Sequence, residues 1–119
     1  MNRKYILLIV LAVSMLMLSG CSPKNYDSFV SCLNENGVTF YGAFWCPHCQ
    51  NQKKLFGSSA EKLPYVECST PDGKSQAKVC VDAGITSYPT WEFADQSRLT
   101  GEISLERLAS KAGCKIEDE

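Results

Sequence analysis

The chain has 119 residues, 45% of them hydrophobic and 21% charged, which is enough for one globular domain and too few for two. Its formal charge of −1 excludes the strongly basic surface that non-specific nucleic-acid binding requires. Seven cysteines are many for this length, and their odd number leaves at least one without an intramolecular partner or gives it another job.

The first segment stands apart from the rest. Arg3 and Lys4 precede an apolar run from Ile6 to Leu18 that only Ser14 interrupts. Such a run suits the core of a signal peptide and falls short of the ~20 residues a membrane span needs. It ends in Leu18-Ser19-Gly20-Cys21, which resembles the lipobox of prokaryotic lipoproteins, where the signal is cut before the cysteine and the cysteine carries lipid. The resemblance implies a signal over 1–20, a lipidated Cys21 with a tether over 21–25, and a chain anchored at the extracytoplasmic face of a prokaryotic membrane. An uncleaved anchor helix or a plain secreted chain are the alternatives, and both also place the remainder outside the cytoplasm. Lipidation removes Cys21 from the thiol count and leaves six, an even number in a compartment that permits disulfides. Loss of Arg3 and Lys4 leaves ten basic against thirteen acidic side chains, a charge of −3.

The folded domain is expected over 26–115, with an acidic tail over 116–119. Tyr26, Phe29, Val30 and Leu33 recur at helical spacing and Gly37 stops that helix. Val38 to Phe44 is a β-prone apolar run of the kind buried on both faces of a sheet. Cys46 to about Phe56 reads as a helix, and Tyr65 to Cys68 as a short strand. Asp72 is expected to cap a third helix with Ala77, Cys80 and Val81 on one face, closed by Gly84. Thr90 to Phe93 and Arg98 to Thr100 read as strands joined by a turn. Ser104 caps a last helix with Leu105, Leu108, Ala109 and Ala112 on one face, and Gly113 ends it. This order predicts an α/β fold with a central mixed sheet and helices on both faces.

The chemistry is expected in Trp45-Cys46-Pro47-His48-Cys49. Two cysteines three positions apart on a helix share a side, so their sulfurs can bond or separate. At the helix start, free N–H groups and the macrodipole favour a thiolate at Cys46. His48, in the same turn, is expected to stabilise that thiolate and so make the disulfide more oxidising. Cys49, one turn in, is the shielded resolving thiol, and Pro47 lacks a donor that the helix start does not need. Zinc needs four ligands, which this cysteine spacing does not supply, so no metal is expected; an inert disulfide is the other alternative. Pro89 in Ser87-Tyr88-Pro89-Thr90 opens a strand, where proline needs a reason because it cannot donate to the ladder.

With WCxxC followed by that Pro-Thr, residues 26–113 resemble the thioredoxin superfamily. The resemblance implies a thioredoxin-like fold with a four-stranded sheet, and a cis-proline loop at Pro89 packed against the CxxC pair and presenting backbone to substrate. Tyr88 is the residue expected to touch substrate, and Trp45 to shield the disulfide. Tyr41, Phe44, Trp91 and Phe93 are expected in the core, Lys53 and Lys54 on a solvated face. FYGAFWCPHCQNQKKLFG, LPYVEC and SYPTWEF are most similar to the thioredoxin-like domain fused to bacterial vitamin K epoxide reductase homologues, membrane enzymes that make disulfides and pass them to that domain. Reducing thioredoxins carry a buried acid six positions before the nucleophile; here that position is Phe40, which leans towards oxidation.

The fused domains further imply a Cys68–Cys80 disulfide, with a second redox pair as the alternative. By elimination Cys32 and Cys114 are left to pair, although their helices are expected on opposite sheet faces; two free thiols are the alternative. The resulting expectation is a monomeric, membrane-tethered thiol–disulfide oxidoreductase. It needs no cofactor beyond the Cys46–Cys49 disulfide, acts on reduced or misoxidised proteins, and is recharged by a quinone-linked membrane oxidase of the vitamin K epoxide reductase type. A reductase or isomerase fed by a membrane partner, and a non-enzymatic stapled lipoprotein, are the competing readings.

Overall fold

A computed structural model describes residues 2–15, 20 and 24–117. Near the N-terminus a helix, α1 (Arg3–Met15), is described, while Cys21, with the lipid role expected of it, lies outside the described residues. No described helix is long and apolar enough to cross a membrane.

The folded part runs α2 (Asp27–Glu35), β1 (Thr39–Gly42), α3 (Pro47–Lys54), β2 (Tyr65–Glu67), α4 (Lys78–Asp82), β3 (Thr90–Glu92), β4 (Arg98–Thr100) and α5 (Leu105–Ala112), with one 3-10 turn at Ala60–Lys62. The four strands form one mixed sheet in the order β2-β1-β3-β4. β1 pairs parallel with β2, setting Phe40 opposite Tyr65 and Gly42 opposite Glu67. It pairs antiparallel with β3, setting Phe40 opposite Trp91. This is a thioredoxin-like α/β fold.

Alternation along β1 divides the core. Phe40 faces one way and stacks on Trp91, their ring centroids 4.4 Å apart. On that face Phe29, Val30 and Leu33 of α2, Cys49 of α3, and Leu108 and Ala109 of α5 join them in one buried cluster. Tyr41 faces the other way, towards Cys68, Cys80 and Ile85. Helices α2 and α5 therefore share a face, contrary to the expectation of opposite faces. The chain brings Cys32 and Cys114 together in a disulfide with an S–S length of 2.06 Å.

Two other expectations change. The third helix starts at Lys78 rather than near Asp72. The Asp72 carboxylate accepts from Thr70 Oγ1 at 2.6 Å and from Lys74 N at 3.1 Å, closing a turn instead of capping a helix. The helix that remains is too short to bury a full face, so Cys80 is buried and Val81 is exposed. β1 also ends at Gly42, because the chain turns there and Cys46 N donates to Ala43 O at 3.0 Å. The turn leaves Phe44 half exposed, at 50%, outside the core predicted for it.

Candidate active site

The turn after β1 delivers Cys46 to the N-cap of α3, with Pro47 as the first helical residue. Cys46 has extended backbone, and its sulfur accepts from Cys49 N at 3.3 Å, the bond that Ser or Asp makes at most helix starts. Cys46 is 5% exposed and Cys49 fully buried, so attack from solvent reaches Cys46 first. Both are free thiols. Burial first, and then the hydrogen bond with Cys46, push the Cys49 thiol up to about 12.

Cys46 is faced from β3. The Tyr88–Pro89 peptide is cis, Pro89 is buried, and Cys46 Sγ donates to Tyr88 O at 3.9 Å. Pro89 O is taken by Gly101 N at 2.9 Å, which ties the loop to the end of β4. The Tyr88 hydroxyl accepts from Gln76 Nε2 at 2.8 Å, so the ring is held by the segment that precedes α4. Trp45 is 53% exposed, meets Tyr88 edge-on at 6.0 Å, and donates from Nε1 to Ser69 Oγ at 3.0 Å. Trp45, Gln76, Ile85 and Tyr88 line an open groove of about 470 Å³ beside the dithiol.

His48 is placed differently from the expectation. Its ring is largely exposed and its Nδ1 lies 2.8 Å from Glu102 Oε2, so the imidazole leans on a carboxylate rather than on the Cys46 sulfur. Sequence reasoning missed Glu102, and also the residue that brings it there. Gln52 is fully buried in α3; its Nε2 donates to Ile103 O at 2.9 Å and its Oε1 accepts from Ile103 N at 2.7 Å. The residue next to Ile103 is thereby held over the first turn of α3. A polar residue on the inward side of a helix that starts with two cysteines was the available signal.

Cys68 and Cys80 are joined, S–S 2.04 Å, at the end of β2 and in α4, on the sheet face opposite Cys49. Lys53 is half-buried rather than solvated, with Nζ 3.6 Å from the centroid of the Tyr65 ring. Among the described residues no group of three or more His, Cys, Asp and Glu side chains is gathered for a metal ion.

A dithiol at a helix start, faced by a cis-proline loop across a four-stranded mixed sheet, is the arrangement of proteins that exchange thiols and disulfides. The thioredoxin family model matches residues 18–113, and the chain belongs to that family. It is 47% identical over 90 residues to Thiol-disulfide oxidoreductase LTO1 of Arabidopsis thaliana, covering 71% of this chain and 23% of that protein. It is 30% identical over 98 residues to the protein named Probable protein disulfide-isomerase ER-60 of Schistosoma mansoni, covering 75% of this chain and 19% of that one. The chain thus spans less than a quarter of the length of these curated relatives.

Proposed function

We propose that the protein is a thiol–disulfide oxidoreductase, tethered outside the cytoplasm through Cys21, that donates the Cys46–Cys49 disulfide to folding proteins. The observation that carries this is the environment of Cys46: a slightly exposed sulfur at a helix start, accepting from Cys49 N and lying against the Tyr88 carbonyl. The names of the two relatives support the class of reaction.

In the oxidised protein a substrate thiolate attacks Cys46, and the electron pair of the Cys46–Cys49 bond leaves on Cys49, which takes up a proton. A second substrate thiolate then attacks the substrate sulfur of the mixed disulfide and expels Cys46. The substrate has lost two electrons and the protein holds a dithiol. Pro89 and the Tyr88 backbone line the approach, and the groove by Trp45 receives the flanking peptide. Recharging falls to a membrane oxidase of the quinone-linked, vitamin K epoxide reductase type, with the protein acting as a monomer. The apolar run before Cys21 supports the tether. An isomerase is the second reading, favoured by the name of one relative.

Replacing Cys46 with serine is expected to abolish oxidation of a reduced model protein. Turnover that survives Cys46→Ser would rule out Cys46 as the nucleophile and place the catalysis elsewhere than the CPHC pair. An intact residue 1 and no lipid in the mass of the purified protein would refute the lipid anchor.

A further inference from the structure

Cys49 must lose its proton before it can attack Cys46, and burial holds that proton on the sulfur. The position six before Cys46 is Phe40, fully buried against Trp91, and accepts no proton. The neighbours of Cys49 on β2 offer an alternative. Tyr65 and Glu67, two apart on one strand, point to the same face, opposite Phe40 and Gly42 of β1. A Cβ at Gly42 would lie 2.8 Å from Tyr65 Cε2, 3.1 Å from Cys49 Sγ and 3.3 Å from Tyr65 Oη. Phenol and sulfur therefore both border the space over one Cα, which only glycine leaves open. Tyr65 Oη donates to Glu67 Oε2 at 2.5 Å, and Glu67 Oε1 accepts from Phe44 N at 2.8 Å. Lys53, on the same helix as Cys49, places its Nζ over the Tyr65 ring.

We propose that Tyr65 and Glu67 form the proton relay of the resolving thiol, in place of a buried acid; this rests on the thiol–disulfide reading above. In the resolving step Cys46 is joined to a partner sulfur. The Cys49 thiol gives its proton to the Tyr65 oxygen, directly or through one water, as the phenolic proton passes to the Glu67 carboxylate. The Cys49 thiolate pair forms the Cys46–Cys49 bond, and the pair of the mixed disulfide leaves on the partner sulfur, which is protonated from solvent. The dithiol has lost two electrons and the partner disulfide has become two thiols. Glu67 is partly exposed and returns its proton to water.

Burial, then the bond to Glu67, raise Tyr65 well above the ordinary tyrosine range, so the phenol passes a proton on rather than ionising. The titratable and charged groups facing the pair are Cys46 and Lys53 from α3 and Glu67 from β2; β1 and β3 contribute Phe40 and Trp91, which do not titrate.

The test mixes reduced protein with oxidised glutathione and follows, by acid quench, first the mixed disulfide on Cys46 and then its conversion to Cys46–Cys49, as a function of pH. Tyr65→Phe keeps the ring, and Glu67→Gln keeps an acceptor for Phe44 N. Both variants are expected to slow the conversion on the order of 10²-fold at neutral pH. The first step should be unchanged, and the residual rate should rise in proportion to hydroxide. Conversion at the native rate and pH profile in both variants, or an equal fall in both steps, overturns the relay and leaves the dithiol chemistry standing. If the native protein forms no mixed disulfide on Cys46, the thiol–disulfide reading itself fails.

Discussion

Cys46 and Cys49 differ in burial and in hydrogen-bond partner while only three positions apart. Cys49 is pushed up to about 12 from an ordinary 9.0, first by burial. The unfolded chain therefore releases this proton at lower pH than the folded one. The stability this confers is complete below pH ~9 and is lost as pH rises towards about 12. Urea titrations should show the dithiol form losing stability relative to the disulfide form as the pH is raised through that window, since only the dithiol carries the effect. Curves that stay parallel would contradict the assignment. In Cys46→Ser, iodoacetamide should modify Cys49 barely at neutral pH and faster as pH rises, because only the thiolate reacts. At Gly42, alanine would place a methyl within 2.8 Å of Tyr65 and 3.1 Å of Cys49. Gly42→Ala should lower stability by about 1–3 kcal/mol in chemical denaturation.

Each element carries one or two contacts that the periodicity of the sequence does not reveal. Gln52 ties α3 to the strand–helix connection by two hydrogen bonds to Ile103. Gln52→Leu fills the space but orphans a buried N–H and C=O, and should cost about 2–5 kcal/mol. It should also release Glu102 from His48, which the imidazole proton shifts in NMR would report. At the start of α2, Asp27 accepts from Lys62 Nζ at 2.6 Å and from Ser59 Oγ at 2.7 Å, and these bonds hold its carboxyl below the usual range. Its folded value being depressed, the stability it contributes is present above pH ~4 and is lost as the pH falls further. Asp27→Asn should flatten that acid limb of the stability profile. The apolar periods of α2 and α5, the β-prone runs and the caps at Ser104 and Gly113 were legible in the sequence, because each is set by neighbours within a turn. The start of α4 was not, since Asp72 had two local uses and the turn at Thr70–Ser75 took it. The setting of His48 was not legible either: Glu102 lies 54 positions away.

The two disulfides act on the whole molecule in different ways. Cys68–Cys80 closes a short stretch, with a sequence separation of 12, and contributes about 3 kcal/mol in the chain-entropy model. Cys32–Cys114 spans 82 positions, joining α2 to the end of α5, and the same model gives about 4.5 kcal/mol. Replacing Cys32 and Cys114 together by serine should therefore lower the midpoint of unfolding more than replacing Cys68 and Cys80. The reverse order would mean that strain or residual structure, not loop length, governs these cross-links. On the proposed chemistry the exchange runs through Cys46 and Cys49 alone, so both double variants are expected to retain exchange activity wherever they remain folded.

The central claim is that Cys46 and Cys49 form a disulfide that the protein gives away. Equilibration of the native protein with glutathione buffers, read by the fraction of Cys46–Cys49 oxidised, measures its tendency to do so. A disulfide donor predicts a potential of about −120 to −180 mV, and a value near −270 mV or below would make the protein a reductant and contradict the account.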